Sequence, residues 1–260
     1  MRSNQGKEKI YMNALLASWR NEVEKLWLRK RTKAVLALAI LVPVVLTLGI
    51  SSLGRMMGLT AALGGQVSII TLNLLTGFLL PLYLFISAAD LFPGETAART
   101  MKLTLVRPVT RAKLFAAKAL ALCSAAAAIL AAAGVTSAVC GLLTFSSSLM
   151  LEWTDNLIAY AVSVVPMAVL GLIAVWIAMF FSNSAAALGS MIVVFAAAKL
   201  LPILFPAIAI WSPFAYTDWY ASWMGNGAGI GKLLQSFFIL LAYSMMAYVS
   251  SVTRFERKSF

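Results

Sequence analysis

Asp90-Leu91-Phe92-Pro93-Gly94-Glu95-Thr96-Ala97-Ala98-Arg99-Thr100-Met101-Lys102-Leu103-Thr104-Leu105-Val106-Arg107-Pro108-Val109-Thr110-Arg111, continued by Lys113 and Lys118, is the charged stretch that interrupts the chain's succession of apolar runs. Pro93-Gly94 reads as a turn, and Glu95 directly after it sits where a carboxylate favours a helix N-terminus through the positive end of the dipole. A short helix from Thr96 to Val106 is expected, with Ala97, Met101 and Leu105 on one apolar face and Arg99 and Lys102 off it. Pro108 pushes Arg107 out of helical geometry, and Thr110 is placed to cap the next helix. The segment is therefore an amphipathic helix held between two membrane spans. On these features alone it reads as an ordinary cytoplasmic loop, basic because such loops usually are.

The composition around it sets the class. With 62% hydrophobic residues, 12% charged residues and a mean hydropathy of +0.90, the chain reads as an all-helical, polytopic membrane protein. There is no histidine, which removes His-based proton relays and Ser-His hydrolysis. Cys123 and Cys140 share one apolar run and lie about 26 Å apart on a single helix, too far to bridge. The polar N-terminus lacks the pattern of a cleavable signal peptide. Residues 1–33 hold nine of the Lys and Arg residues and three Glu. Within them Ile10, Leu15, Trp19, Val23, Leu26 and Trp27 fall at helical spacing, so a helix lying in the headgroup plane is expected. Its Trp side chains would sit at the boundary and Arg29-Lys30-Arg31 would face anionic lipid. Beside a membrane span this basic run has a topological reading, and no nucleic-acid partner is inferred.

Uncharged runs of the length needed to cross hydrocarbon give six spans: 34–53, 67–89, 119–143, 157–181, 185–204 and 233–253. Ser182-Asn183-Ser184 divides the fourth from the fifth. The N-terminus, the 90–118 loop and the C-terminus carry 18 of the 21 basic residues, which places both termini in the cytoplasm by the positive-inside rule. Between the last two spans Pro202, Pro206 and Pro213 interrupt the chain, and Trp211, Phe214, Tyr216, Trp219, Tyr220 and Trp223 crowd before a glycine-rich tip. Re-entrant half-helices buried in protein and an interfacial aromatic belt are the two readings. Gly229-Ile230-Gly231-Lys232 imitates a phosphate loop but has Asn226 and Leu233 where that motif needs Gly and Ser or Thr. The chain is read as non-enzymatic, with no cofactor or metal of its own.

Two features inside the spans are candidates for a translocation path. Asn73, Thr76, Leu80, Tyr83 and Ser87 follow a three-four spacing along the second span, and would otherwise join helices by hydrogen bonds. Lys199 is ionisable within the fifth span. It either snorkels to the surface or pairs with Asp155 or Asp218.

Glu95, Thr100, Leu105, Pro108 and Arg111, followed by Lys118, resemble the first cytoplasmic loop of ABC-2 type transporter permeases. In that family a Glu precedes a Gly-Thr step, a leucine-rich turn and Pro-x-[Ser/Thr]-Arg; here Arg99 stands in place of the Gly. The layout is similar too: an N-terminal interfacial elbow helix (1–33), six spans and a broken segment before the last, in one permease domain (1–260). The resemblance implies a coupling loop (90–118) that docks on a separate ATPase, with Glu95, Thr100, Met101, Leu105, Arg107, Pro108 and Arg111 as the coupling residues. It further implies two ATPase subunits that bind ATP and Mg, and a second permease as homodimer or heterodimer in the cell membrane. The expected cargo is a drug, a peptide antibiotic (hence antibiotic resistance) or a lipid-like molecule. A scaffold or regulatory subunit that docks an ATPase without transporting is the other reading; substrate-stimulated ATP hydrolysis separates the two.

The charge asymmetry makes a topological prediction. A cysteine introduced near Asp155 or Gly227 reacts with an impermeant thiol reagent from outside the cell, and one at Thr104 does not. Reversed labelling would exclude the inside placement of the termini.

Overall fold

The computed structural model of the chain describes residues 2–57, 66–98, 100, 110–144, 150–205, 211–224 and 229–258. Among them every regular element is helical: α1 (Arg2–Leu28), α2 (Lys30–Met57), α3 (Gln66–Ala97), α4 (Arg111–Thr144), α5 (Met150–Ala178), α6 (Ser184–Leu204) and α7 (Ile230–Arg257). A 3-10 helix, Pro213–Trp223, lies between α6 and α7. The six helices α2 to α7 are long and apolar enough to cross a membrane.

Two boundaries differ from the sequence expectation in ways that matter. The first is Pro93-Gly94, which is not a turn. Helix α3 continues through it as a π-helical stretch, Asp90–Gly94, and runs on to Ala97. A proline inside a helix has no N–H for the residue four back and presses its ring on that carbonyl, and widening by one residue relieves both defects. The same device stands before Pro81, where Leu75–Leu79 is π-helical and the N–H of Leu80 reaches back to the carbonyl of Leu75. The wider turn favours glycine at position 94, since a Cβ there would press on the carbonyl oxygen of Ala89 at 3.2 Å. Glu95 is consequently near the end of a long helix, not at a true N-terminus, and the dipole does not favour it there.

The second is the start of α4. Its 34 residues span about 51 Å, well beyond the hydrocarbon thickness of about 30 Å. Arg111 to Lys118 therefore form an extra helical length below the span and not a loop. Thr110 precedes it, and its carbonyl accepts the N–H of Leu114 at 3.1 Å, as an N-cap residue's does.

Helices α4 and α5 form the centre. Ala121, Ala125, Ala126 and Ala133 of α4 are buried, so neighbouring backbones come close. Gly134 faces the ring of Tyr160 on α5, and Gly171 of α5 lies against Leu84 of α3 and Leu122 of α4. Helix α1 packs on α4 through Leu26, fully buried, with Trp19 and Val23 partly so. Part of the stripe assigned to the headgroup plane is thus covered by protein. Leu41 and Leu48 of α2, Val193 and Leu200 of α6, and Phe238 and Met246 of α7 point outward. Such an apolar exterior suits hydrocarbon and not water.

Pro202 lies inside α6 and does not interrupt it, whereas Pro213 opens the 3-10 helix. That 3-10 helix kinks at Asp218 and buries Phe214, Trp219 and Tyr220, while Trp211 and Trp223 stay exposed. Pro206 and Asn226 lie outside the described residues.

The close α4–α5 approach predicts a local sensitivity. A Cβ at Gly134 would sit 3.1 Å from the ring of Tyr160, whereas one at Gly189 meets nothing within 4 Å. Gly134→Val is expected to cost about 1 to 3 kcal/mol by overpacking and to lower the thermal unfolding temperature in detergent. Gly189→Val, the control, is expected to stay much closer to the parent value.

Candidate functional site

Among the described residues, one end of the bundle gathers most of the charge. Its centre is Lys118, whose side chain has no solvent exposure although it sits only about two turns inside the start of α4. Its Nζ donates to Glu95 Oε2 at 2.8 Å and to Glu22 Oε2 at 3.1 Å. The other oxygen of Glu22 accepts from Lys25 Nζ at 2.8 Å. Glu22 is 1% exposed and Glu95 13%. Three elements therefore meet on one ammonium: α1 through Glu22, the end of α3 through Glu95, and the foot of α4 through Lys118 itself.

Burial alone would push the Glu22 carboxyl up, but Lys118 and Lys25 together outweigh it and hold the group below its ordinary value. Removing a charge from such a set is costly because the remaining partner stays buried and uncompensated.

Around this centre a second set of contacts ties the same end together. Asp90 Oδ2 accepts from Arg29 at 3.2 Å and Arg31 at 3.0 Å, joining the α1–α2 junction to α3. The basic cluster read as facing lipid is thus partly engaged within the protein. Arg111 donates to the carbonyls of Glu256 at 2.9 Å and Lys258 at 3.0 Å, so it caps the end of α7 instead of standing free. Lys258 Nζ donates to the carbonyl of Phe181, and the Arg254 guanidinium lies 3.6 Å from the Phe180 ring centroid. Burial, with Arg254 nearby, pushes the Lys258 ammonium down from its ordinary value. Asn183 Oδ1 accepts the N–H of Ala185 and caps α6, and the neighbouring Ser184 lies against Gly94. The Ser182-Asn183-Ser184 link and the end of α3 are therefore neighbours.

Of the residues proposed for coupling, Glu95 lies in the buried set and Arg111 in the α7 cap. Thr100 is exposed, with both its N–H and its hydroxyl on the carbonyl of Glu95. Met101, Leu105, Arg107 and Pro108 lie outside the described residues. Sequence reasoning did not single out Glu22. The signal was present, because Glu22 shares the i, i+3, i+4, i+7 stripe of Trp19, Val23 and Leu26, where a carboxylate implies a buried partner.

The four candidates for a path are not brought to one opening. Thr76 is buried, its hydroxyl on the carbonyl of Leu72, and Tyr83 is buried with its hydroxyl 3.3 Å from that of Thr32 on α2. Asn73 faces outward. Lys199 neither reaches a carboxylate within ion-pair distance among the described residues nor simply snorkels: its Nζ donates to Thr217 at 2.6 Å, with the Phe195 ring 5.9 Å away. It pins α6 to the 3-10 helix. Beside that helix is a cavity of about 460 Å³ lined by Tyr216, Asp218, Trp219, Ser222 and Ser236 among others.

Six apolar helices around an alanine-rich centre, with the charge gathered at one end, define a multi-pass helical membrane protein. The family described as ABC-2 family transporter protein matches residues 19–199, more than two thirds of the chain, and the matched stretch contains Glu22, Glu95, Lys118 and Lys199. The chain belongs to that family, whose members are membrane transport components, normally non-catalytic, that work with an ABC ATPase. No curated relative is similar enough to add to this assignment.

The buried set makes a paired prediction. Lys118→Ala leaves Glu22 and Glu95 without their common partner and should cost about 3 to 5 kcal/mol, whereas Glu95→Gln leaves the Lys118–Glu22 pair and should cost clearly less. Because the Glu22 carboxyl is held below its ordinary value of 4.5, its contribution is fully present above about that pH. It is lost as the pH falls through the lowered value. Thermal unfolding of the wild type and both variants between acid and neutral pH checks the order and the sign.

Proposed function

We propose that this chain is the permease subunit of an ATP-driven exporter in the cell membrane, with both termini cytoplasmic. Two ATPase subunits bind ATP and Mg and dock beneath the permease. A second permease, identical or similar, completes the path. The 90–118 segment carries the docking, through Glu95, Thr100, Met101, Leu105, Arg107, Pro108 and Arg111.

The observation that carries this reading is the Lys118 junction. A partner's motion does work on a membrane bundle only if the element it pushes is tied rigidly to spans, and Glu95 and Lys118 tie the end of α3 to the foot of α4 and to α1. Arg111 extends the connection to α7, and Lys258 extends it to the carbonyl of Phe181. A push near Glu95 thus reaches four helices.

Helix α1 is the elbow helix, in the interface on the side not packed on α4. The aromatic segment before α7 forms re-entrant half-helices, with the cavity beside Asp218 as part of the outer mouth. Asn73 fronts the second permease, where Lys199 and the polar side of α3 contribute to the path. The cargo is a drug, a peptide antibiotic or a lipid-like molecule, as the resemblance to the family suggests.

The experiment is purification of the permease with its ATPase. Native mass spectrometry of the complex is expected to give two permease and two ATPase copies. Glu95→Ala, and the Met101→Asp, Leu105→Asp double variant, are expected to insert normally yet co-purify less ATPase or lose substrate-stimulated hydrolysis. Apolar contacts of this kind contribute on the order of 1 to 3 kcal/mol each when buried, enough for a tenfold loss of affinity. Wild-type values in the double variant would place the coupling elsewhere.

A further inference from the structure

The two carboxylates on Lys118 are not equivalent. Glu22 is buried, is carried on the face of a long helix, and has its second oxygen occupied by Lys25. Glu95 is more exposed, belongs to the last turn of α3, and is followed by the half-buried Thr96 and then by the exposed Ala97, Ala98 and Thr100. Only the second can move without dismantling packed helices.

What its departure leaves behind decides whether it can leave. With Glu22 in place, a departing Glu95 leaves a neutral buried pair, Lys118 and Glu22. Lys25 keeps its own bond to Glu22, and its 39% exposure lets water screen it. Without Glu22, the same departure would strand an ammonium of zero exposure, which is among the costliest arrangements a protein can hold.

We propose that Glu22 is a standing counter-ion that makes the Glu95–Lys118 bond releasable, so that the end of α3, residues 94–98 with Thr100, has a bound and a released state at modest cost. Glu22 is a positioning residue in this scheme. It holds Lys118 ready in both states and touches neither cargo nor ATPase. The inference rests on the coupling reading for its use in transport, but the two states belong to this chain alone.

The full-length chain in lipid nanodiscs supplies the test, read by hydrogen exchange at two amides. Those of Ala98 and Thr100 bond to the carbonyls of Gly94 and Glu95 and report the end of α3. Glu95→Gln and Lys118→Met are each expected to speed their exchange by about tenfold, the scale of one lost charge-assisted contact. Exchange in α1 between Trp19 and Leu26 should change little in Glu95→Gln. Glu22→Gln is expected to do the reverse at the end of α3, with exchange at or below the wild-type rate, because Lys118 then depends on Glu95 alone. The Glu22→Gln, Lys118→Met double variant carries no buried ammonium, and it should exchange as fast as Lys118→Met. This keeps the test decisive if Glu22→Gln alone folds poorly.

Faster exchange in Glu22→Gln, matching Glu95→Gln, would overturn the proposal and make Glu22 a simple brace. So would unchanged exchange in Glu95→Gln. No ATPase is present in this measurement, so either failure leaves the docking reading intact. Wild-type ATPase co-purification and hydrolysis in the Met101→Asp, Leu105→Asp double variant, with the expected exchange pattern, would instead defeat only that reading.

Discussion

An ammonium with no path to water must find its counter-charges in the protein, and Lys118 draws its from two separate segments. Glu22 lies 96 positions before it and Glu95 lies 23 before it. Solvent does not reach the Nζ, so the packing of α1 on α4 and, while Glu95 is bound, the path of α3 at its end are both constrained by one atom. Other contacts at this end are more exposed and individually weaker, as the shared carboxylate of Asp90 shows. They add breadth to the junction more than strength.

The second constraint is the proline pattern of α3. A membrane helix cannot leave backbone groups unsatisfied in hydrocarbon, yet Pro81 and Pro93 each remove a donor. The chain meets both losses with π-helical stretches placed at or just before the proline. Thr76 and Thr96 add ordinary side-chain bonds to the carbonyls of Leu72 and Phe92. The helix stays continuous from Gln66 to Ala97 and delivers Glu95 to the junction.

How far this was legible follows from what each signal measures. Long uncharged runs report the cost of charge in hydrocarbon, so the six spans and the division at Ser182-Asn183-Ser184 were readable, although α3 ends and α4 begins about eight residues beyond the uncharged run. Pro93-Gly94 was misleading because the dipeptide is a turn signal in water, while a membrane helix under the pressure to satisfy its backbone widens instead of turning. Lys118 was read as the last residue of a loop, since a lone lysine beside an apolar run says nothing about partners distant in sequence. Glu22 was hidden for the same reason. Its place on an apolar stripe was visible, but the identity of its partner is a tertiary fact. Lys199 had two plausible fates by sequence, and its bond to the hydroxyl of Thr217 was not visible because that partner lies on another element.

The π-helical stretch at Asp90–Gly94 also makes the aim of Glu95 depend on residue count. Each such stretch holds one residue more than a regular helix would, and one residue is worth about 100° of rotation about the axis. Everything beyond Gly94 is therefore phased by that surplus residue, like a thread started one notch late. A chain one residue shorter there would be a more regular helix with the same composition, and its carboxylate would point roughly a quarter turn away from Lys118. In this segment an indel is a change of direction more than a change of length, and its spacing is as informative as its residue types.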